Sequence, residues 1–368
     1  MYYYFDELDF SYLSFYSRYP FKQEQSRKHA SRKTAKSLNS KKKAIKQIII
    51  ILTGVLIWNL EPGTRNCFAQ GTWIAKTPLS GTTRAGGIGF SIGTKGYIGA
   101  GGNTGVGGYK DFWEWDPGTN AWTQKADIPG PGRFWGSGFA IGTKGYCGLG
   151  YDNLGSNIVD FYEWNQGTNI WSPKPLFTAG GMWGATSFTI GTKGYVGVGA
   201  GASSDFWEYD QATSSWTQKA PYPAGNVTTY YLTASFSIGT KGYIGTGCDV
   251  SLSGGVRDFY EWDQATDIWT QKADYGAASN MVLEAVGFSI GNYGYIGTGT
   301  NVIASGSQSD FWQYDPAADT WTAKANFGGG IRECAVAFVI GCKGYVGTGW
   351  TNDNNATNQK DLWEYTPD

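Results

Sequence analysis

Three arginines occupy the same place in three copies of a repeated segment, and their guanidinium groups could bind an anion. Arg84, Arg133 and Arg332 each stand six residues before a recurring phenylalanine. A guanidinium presents a planar fork of donors that binds carboxylates bidentately, and it also stacks on aromatic rings. This position therefore indicates a surface that clamps a carboxylate, a sugar or a peptide.

Aromatic and acidic residues accompany the arginines at or beside the corresponding positions of the other repeats. The predicted ligand-binding site consists of the three arginines together with Trp135, Trp183, Tyr230, Tyr231, Glu284 and Glu333. We expect these side chains at the mouth of a central channel. An alternative stays open, in which the arginines pair with Glu284 and Glu333 or with loop carbonyls and serve only the fold.

Histidine-dependent chemistry is excluded from most of the chain, because its single histidine is His29, in a segment that we expect to be removed. The remaining body then lacks a histidine ligand for a metal and a histidine base for a catalytic triad. Its four cysteines show neither Cys-x-x-Cys spacing nor a disulfide framework. We predict no catalytic residue, no metal site and no cofactor.

The elements that must position the candidate site are repeats of about fifty residues. Copies of Phe-Ser-Ile-Gly-Thr-Lys-Gly-Tyr, some degenerate, follow one another after 49, 49, 48, 52 and 50 residues. They begin at Phe90, Phe139, Phe188, Phe236, Phe288 and Phe338. Each is followed by a segment of the type Asp-Phe-Trp-Glu-Trp-Asp, first seen at Asp111–Asp116. A fixed period of this size indicates a repeat architecture.

Each repeat reads as four short strands. The first ends at Phe-Ser-Ile, the second is Tyr-Ile-Gly-x-Gly, the third alternates large and polar residues from the Asp onward, and the fourth carries a Trp. The Gly-Thr-Lys-Gly segment is predicted to be a three-residue hairpin loop whose second glycine is left-handed. The recurring Asp is predicted to cap a turn, and the recurring Trp residues are assigned to the core between repeats.

The last repeat is split between the two ends of the chain. Its third strand runs from Asp361, and the chain ends at Asp368 before a fourth-strand Trp appears, whereas Gly71–Lys76 matches the fourth strand Ala121–Lys125. This arrangement predicts that the N-terminal strand completes the last sheet and closes the array into a ring. Closure removes an open sheet edge that would otherwise favour aggregation.

This pattern resembles the kelch-repeat β-propellers, including the central domain of galactose-oxidase-like proteins. The matching elements are an apolar strand, Tyr-apolar-Gly-x-Gly, Asp-Phe-x-x-Tyr/Trp-Asp, a short turn and a Trp, and they cover residues 71–368. The resemblance implies an all-β, six-bladed kelch-type β-propeller closed by an N-terminal strand in the last blade. It extends to the fold and not to the copper chemistry of galactose oxidase, because the body lacks histidine.

Residues 1–70 differ in character from the repeats. They carry 12 Lys and Arg against 5 Asp and Glu, a net charge of +7, whereas residues 71–368 carry 17 against 25, a net charge of −8. Lysines at 41–46 precede the apolar run Ile48–Trp58, which is too short to span a bilayer and suits an export signal. We predict an atypical N-terminal lead at 1–40 and a signal peptide at 41–70, with an uncleaved anchor as the alternative.

These observations predict an exported protein, secreted or held in a bacterial cell envelope, that binds a glycan or a protein through its loop face without catalysis. The mildly acidic body argues against a nucleic-acid partner. We expect a monomer with no membrane span in the mature chain. One alternative is an enzyme acting on an acidic sugar at the channel mouth, similar to a sialic-acid epimerase. Another alternative is a purely structural envelope module.

Overall fold

The computed structural model describes residues 71–103, 107–223, 230–249, 254–277, 281–301, 306–351 and 357–368. The predicted N-terminal lead at 1–40 and the predicted signal peptide at 41–70, with His29 and Cys67, lie outside the described residues. Among the described residues, no helix is long and apolar enough to cross a membrane. The described secondary structure consists of strands joined by turns and loops.

Four strands recur in each repeat, and we call them inner, second, third and outer. The inner strands are Ala85–Ile92, Ser137–Ile141, Thr186–Ile190, Ala234–Ile238, Val286–Ile290 and Val336–Ile340. The second strands are Lys95–Asn103, Lys144–Gly148, Lys193–Gly199, Lys241–Gly245, Tyr293–Gly297 and Lys343–Gly347. The third strands are Phe112–Asp116, Phe161–Asn165, Ala202–Asp210, Phe259–Asp263, Phe311–Asp315 and Leu362–Thr366. The outer strands are Thr72–Lys76, Ala121–Lys125, Ile170–Pro173, Ser215–Gln218, Ile268–Gln271 and Thr320–Ala323.

The strands of a repeat pair antiparallel in the order inner, second, third, outer, so that sheets of four strands recur along the chain. Two-residue strands extend the loops at one end of the sheets: Gly107–Gly108, Tyr230–Tyr231, Cys248–Asp249, Gly254–Gly255, Val282–Leu283, Thr300–Asn301, Gly306–Ser307, Trp350–Thr351 and Thr357–Asn358. These pairings join the loop after a second strand to the segment that leads into an inner strand. The all-β architecture of four-stranded antiparallel sheets fits a β-propeller, as the sequence predicted.

The hairpin between inner and second strands differs from the prediction. Ile92 pairs with Lys95, so the loop contains two residues, and its first residue, Gly93, is left-handed with φ of 58°. This geometry is that of a two-residue loop with glycine at its first central position. The second glycine, Gly96, lies against a neighbouring sheet, and a Cβ there would be only 2.1 Å from the ring of Phe338. Close approach of that sheet, and not a turn, requires this glycine.

The core lies between adjacent sheets and is largely aromatic. The recurring Phe of each inner strand packs against the second-strand glycine of the next repeat, as Phe90 does against Gly145. Third-strand aromatics such as Trp115 and Trp262 have no exposed surface. The outer-strand Trp residues are less deeply buried, and Trp171 donates its indole N–H to the carbonyl of Ala126 in the preceding linker. The predicted role of the recurring Trp in the core is thus shared with the third-strand aromatics.

The two ends of residues 71–368 meet in one sheet. Thr72–Lys76 pairs antiparallel with Leu362–Thr366, with Trp73 opposite Tyr365 and Ala75 opposite Trp363. The Trp73 ring lies 5.1 Å from that of Phe311 and 5.0 Å from that of Phe327, and its indole N–H donates to the Ala325 carbonyl. The first strand therefore supplies the outer position of a sheet whose other strands come from the C-terminal end.

Candidate ligand-binding site

Six residues, one at the entry to each inner strand, are joined by backbone hydrogen bonds into a closed cycle. Each lies four residues before the recurring Phe, and we call the set the mouth ring: Gly86, Trp135, Gly184, Leu232, Glu284 and Cys334. Each N–H donates to the carbonyl of the ring residue in the preceding repeat, and Gly86 donates to Cys334, over distances of 2.8 to 3.2 Å. All six residues are left-handed, with φ between 48° and 62°.

A central cavity opens at the mouth ring. The ring residues and those that follow them line a space of about 110 Å³. Two further cavities of about 170 and 240 Å³ continue along the inner strands. Beyond the ring, small side chains such as Ala185, Ser187 and Ser235 face this space, and the two serine hydroxyls donate to neighbouring carbonyls. The larger side chains that could recognise a ligand therefore stand at the mouth.

The three arginines of the predicted site are buried and bind within the chain. Arg84, Arg133 and Arg332 are 0%, 1% and 1% exposed. Each donates two hydrogen bonds to the recurring Asp of its own repeat, as Arg84 does to Asp111 at 2.7 and 2.6 Å. The other two pair with Asp160 and Asp361 in the same way. The expectation of exposed arginines that clamp a ligand is corrected: these groups hold the loop base together.

The alternative prediction, in which the arginines serve only the fold, assigned them the wrong acidic partners. The arginines do donate to loop carbonyls, as Arg332 does to Thr348 at 2.6 Å, but their acids are the recurring Asp residues and not Glu284 or Glu333. This pairing also corrects the assignment of those Asp residues to turn capping. Burial opposes ionisation of Asp111, yet the Arg84 guanidinium holds the pKa of its carboxyl below the usual value.

Tyr230 takes the place of an arginine in its repeat. It is 2% exposed, and its hydroxyl donates to Asp258 at 3.2 Å. In two repeats the position is apolar, with Met182 and Val282, both fully buried. Tyr230 therefore belongs to the packing beneath the loops and not to a ligand-binding surface.

The remaining aromatics of the predicted site come together beside the mouth ring. The Trp135 and Trp183 rings lie 5.4 Å apart, and Trp183 meets Tyr231 edge to face at 4.9 Å. Phe134 and Tyr151 extend this row at 5.9 and 6.2 Å. All five are half-buried, so each keeps part of its ring exposed at the mouth. We call Trp135, Trp183 and Tyr231 the aromatic row.

The two glutamates occupy different environments. Glu333 is 3% exposed, and its carboxylate accepts hydrogen bonds from Ser307 at 3.1 Å and from Thr300. Glu284 belongs to the mouth ring and lines the cavity. Burial and the negative charge of Glu333 raise the pKa of Glu284 to about 7, although a hydrogen bond with Cys334 opposes the shift.

Cys334 connects the carboxylate to the aromatic row. The indole N–H of Trp135 donates to its sulfur at 3.4 Å, and the thiol also contacts Glu284. Burial raises the pKa of the thiol well above its ordinary value, so it is a neutral group and not a nucleophile. Burial also raises the pKa of the neighbouring Tyr231 to about 12. Burial raises the pKa of Glu333 as well, although its hydrogen bond from Ser307 opposes the shift. Of these two carboxyls, Glu284 is the one that lines the cavity, and its charge changes near neutral pH.

The structure therefore brings Trp135, Trp183, Tyr231 and Glu284 to one surface, with Glu333 buried behind it. Leu232 and Cys334 complete the ring but were not part of the predicted site. A signal for them existed, because aligning the repeats four residues before the recurring Phe gives Gly, Trp, Gly, Leu, Glu and Cys. Glycine at two of six copies points to a left-handed backbone. Within the described residues, no cluster of His, Cys, Asp and Glu could hold a metal ion.

Comparison with solved structures finds a related architecture at low sequence identity. The chain is similar to YjhT, a kelch-type propeller protein, with a TM-score of 0.63 and 17% identity over 78% of this chain and 95% of that one. The likeness shows the fold alone. No family model matches the sequence, and no curated protein does. Membership of the kelch family therefore stays a prediction.

Proposed function

We propose that the protein is an exported, six-bladed kelch-type propeller that binds a partner glycan or protein at the mouth ring without catalysing a reaction. The single observation that carries the binding role is the mouth ring itself. Four of its six positions hold Trp, Leu, Glu and Cys at a backbone conformation that glycine adopts without strain. Such conformations also recur at the ends of the second strands and in the turns before the outer strands, but at the mouth ring the four side chains line the cavity, and ligand clamps are among the sites where this backbone occurs.

Several cyclic contacts support six blades and closure by Thr72–Lys76. The mouth ring returns from Cys334 to Gly86, and the packing of Phe against glycine returns from Phe338 to Gly96. The indole of Trp73 reaches the preceding linker at Ala325, as the other outer-strand Trp residues do in their repeats. Each contact type includes a member that joins the N-terminal part of the described residues to their C-terminal part.

The alternative of an enzyme for acidic sugars loses its main support in the described residues. A substrate carboxylate would need a free guanidinium at the mouth, and the arginines proposed for this role are engaged by Asp111, Asp160 and Asp361. The groups that do line the mouth are aromatic, aliphatic or acidic, together with the Thr233 hydroxyl and the Cys334 thiol. They can stack on a ligand and accept hydrogen bonds from it, which favours recognition.

Binding can be tested on glycan arrays and by affinity capture with the purified protein. We expect a glycan or protein that binds the unmodified protein and is lost with Trp183→Ala, because that change removes the centre of the aromatic row. Ile268→Ala is the matched control, since Ile268 is 58% exposed on an outer strand. Absence of any binder for a well-folded protein, or equal binding by Trp183→Ala, would remove the support for this function.

Export rests on residues 41–70 of the sequence. Expression with the complete N-terminal segment, followed by N-terminal sequencing of the protein recovered outside the cytoplasm, should find a chain that begins near Gly71. A protein that retains residues 41–70 in the membrane would favour the uncleaved anchor. Recovery of the whole chain from the cytoplasm would contradict export.

A further inference from the structure

The mouth carries negative charge among aromatic rings, and its nearby cations are already neutralised. Glu284 lines the cavity, and Glu333 lies close enough for its charge to act on Glu284. The adjacent Arg332 is bound to Asp361. A ligand that brought a second anion here would meet repulsion, whereas a cation would relieve the repulsion between the two glutamates.

The aromatic row adds a second attraction for a cation. The Trp135 indole contacts the Cys334 thiol, which in turn contacts Glu284, and Trp183 and Tyr231 continue the row. Glu284 also acts electrostatically on Tyr231, so both ends of the row lie near the carboxylate. Aromatic faces attract ammonium groups, and the interaction strengthens where water is excluded.

The size of the cavity limits what can enter. Its volume is about 110 Å³, whereas an apolar cavity that accommodates benzene measures about 150 Å³. A saccharide ring with its hydroxyls is bulkier than benzene and would remain outside the ring. An ammonium group with its first methylenes is smaller than benzene and fits in this space, which Trp135, Leu232 and Glu284 line.

Resting on the proposed binding function, we propose that the mouth ring binds a primary alkylammonium group, of the kind that a lysine side chain presents. The ammonium donates hydrogen bonds to the Glu284 carboxylate, and its alkyl arm lies against Trp135 and Trp183. The partner is therefore a protein segment with an exposed lysine. An amino sugar carries the same charge on a ring and is the competing source that the test must separate.

The charge of Glu284 makes this binding dependent on pH. The groups that face it are Glu333, the Cys334 thiol and Tyr231, and the thiol and the phenol stay neutral between pH 5 and 8. An alkylammonium stays protonated throughout this range, since its pKa is about 10.4. The ionised Glu284 is the binding form, so affinity should rise with pH through the pKa of about 7 and level off above about pH 8.

Calorimetric titration of the exported protein with n-butylamine, n-butanol and butyrate isolates the contribution of charge. We expect only butylamine to bind, with an affinity that falls roughly 25-fold from pH 7.5 to 5.5, because a carboxyl with a pKa of about 7 loses most of its charge over this range. Glu284→Gln should weaken binding at least tenfold and flatten the pH dependence to what Glu333 contributes, since burial raises the pKa of that carboxyl as well. Asp274→Asn changes a carboxylate that is 44% exposed and lies outside the mouth. This variant should leave the affinity for butylamine and its pH dependence unchanged. The proposal is overturned if butanol binds as tightly as butylamine, or if Glu284→Gln binds butylamine with the affinity of the unmodified protein.

Glu284→Gly is a second test that remains informative if Glu284→Gln fails to fold. It places at this position the residue that Gly86 and Gly184 already supply, so the melting temperature should be equal or higher while butylamine binding is lost. A lysine peptide should compete with butylamine, and its acetylated form should not. Competition by glucosamine alone would overturn the choice of lysine. If a partner depends on Trp183 but no amine binds, this inference fails while the proposed function stands.

Discussion

A charged side chain in a protein interior needs a counter-ion there, and the buried arginines next to the mouth each have one. Arg133 is 1% exposed and its pair Asp160 accepts two hydrogen bonds from it at 2.6 and 3.2 Å. The same guanidinium donates to the Leu149 carbonyl, so one residue joins the segment before an inner strand to the loops after it. The arginines thus hold the loops at the mouth in place.

We predict that Arg133→Ala lowers the free energy of unfolding by about 3 to 5 kcal/mol, because it leaves the Asp160 carboxylate without its counter-ion. Arg257→Ala is the control. Its guanidinium lies 4.0 Å from Asp274 in a more exposed pair, so the change should stay below about 1 kcal/mol. Urea unfolding curves measure both variants. An equal loss of unfolding free energy in the two variants would show that burial does not make the Arg133 pair more stabilising than the more exposed pair.

Glu284 should give stability its own pH dependence. Its pKa is about 7 in the folded protein and 4.5 when unperturbed, so the folded state holds the proton more tightly. The protonated form therefore favours folding, and stability should fall as pH rises from about 5 to 7, by on the order of 1 to 3 kcal/mol. Unfolding curves of the wild type and Glu284→Gln across this range measure the difference. Parallel pH profiles of the two proteins would contradict the assignment.

At the scale of the strand, only one face of the N-terminal outer strand packs into the core and contributes to the free energy of unfolding. Trp73 packs against Phe311, Phe327 and Tyr365, whereas the next residue, Ile74, is 52% exposed. This alternation follows from the two-residue period of a strand. Only one of two large apolar neighbours therefore joins the core.

Trp73→Ala should lower the free energy of unfolding by about 3 kcal/mol, since it empties an aromatic site between two sheets. Ile74→Ala, in the same strand and pairing, should change it by less than about 0.5 kcal/mol. Chemical denaturation of the two variants side by side provides the measurement. A similar effect of both substitutions would mean that the strand does not pack as described.

The strands were predictable because period and turn signals are local properties of the chain. The four-stranded sheets and the pairing of Thr72–Lys76 with Leu362–Thr366 follow the repeat phase. The hairpin was assigned incorrectly because both glycines of Gly-Thr-Lys-Gly suit a left-handed turn. Only the position of the neighbouring Phe338 shows that Gly96 serves close packing and leaves the turn to Gly93.

The site was less predictable because burial is decided by contacts between distant residues. The structure brings Trp135, Trp183, Tyr231 and Glu284 of the predicted site to one surface, and their role in binding stays a prediction. The arginines did not reveal their burial, since a repeated Asp can as easily cap a turn as pair with a guanidinium 27 residues earlier. Whether the Asp caps a turn or pairs with the arginine depends on the three-dimensional path of the loop after each second strand.

For the whole molecule, the proposed closure ties the stability of the array to its seam. Removing residues 71–77 would leave the backbone groups of Leu362–Thr366 without their outer partner. We expect a melting temperature several degrees lower and concentration-dependent association, because an open strand edge favours pairing between molecules. Thermal unfolding and size-exclusion chromatography measure these effects. An unchanged melting temperature with a monomeric elution would contradict closure at this seam.

Under the proposed binding function, a constant scaffold with one variable ring lets a repetitive chain recognise a specific partner. The recurring Phe, Gly, Asp and Trp residues build every sheet alike, whereas the mouth ring changes from Gly86 to Trp135 to Glu284 around the cavity. The proposed recognition then depends on the differences between repeats. The hydrogen-bond cycle of the mouth ring brings these differences to one place although they lie about fifty residues apart.

A crystal structure of the protein soaked with 1,4-diaminobutane tests the central claim most directly, because it locates the bound amine. We predict density inside the mouth ring, with one nitrogen within about 3 Å of the Glu284 carboxylate and the methylenes against Trp135 and Trp183. Density at another surface, or an empty mouth at a saturating concentration of the diamine, would contradict amine binding at the mouth ring.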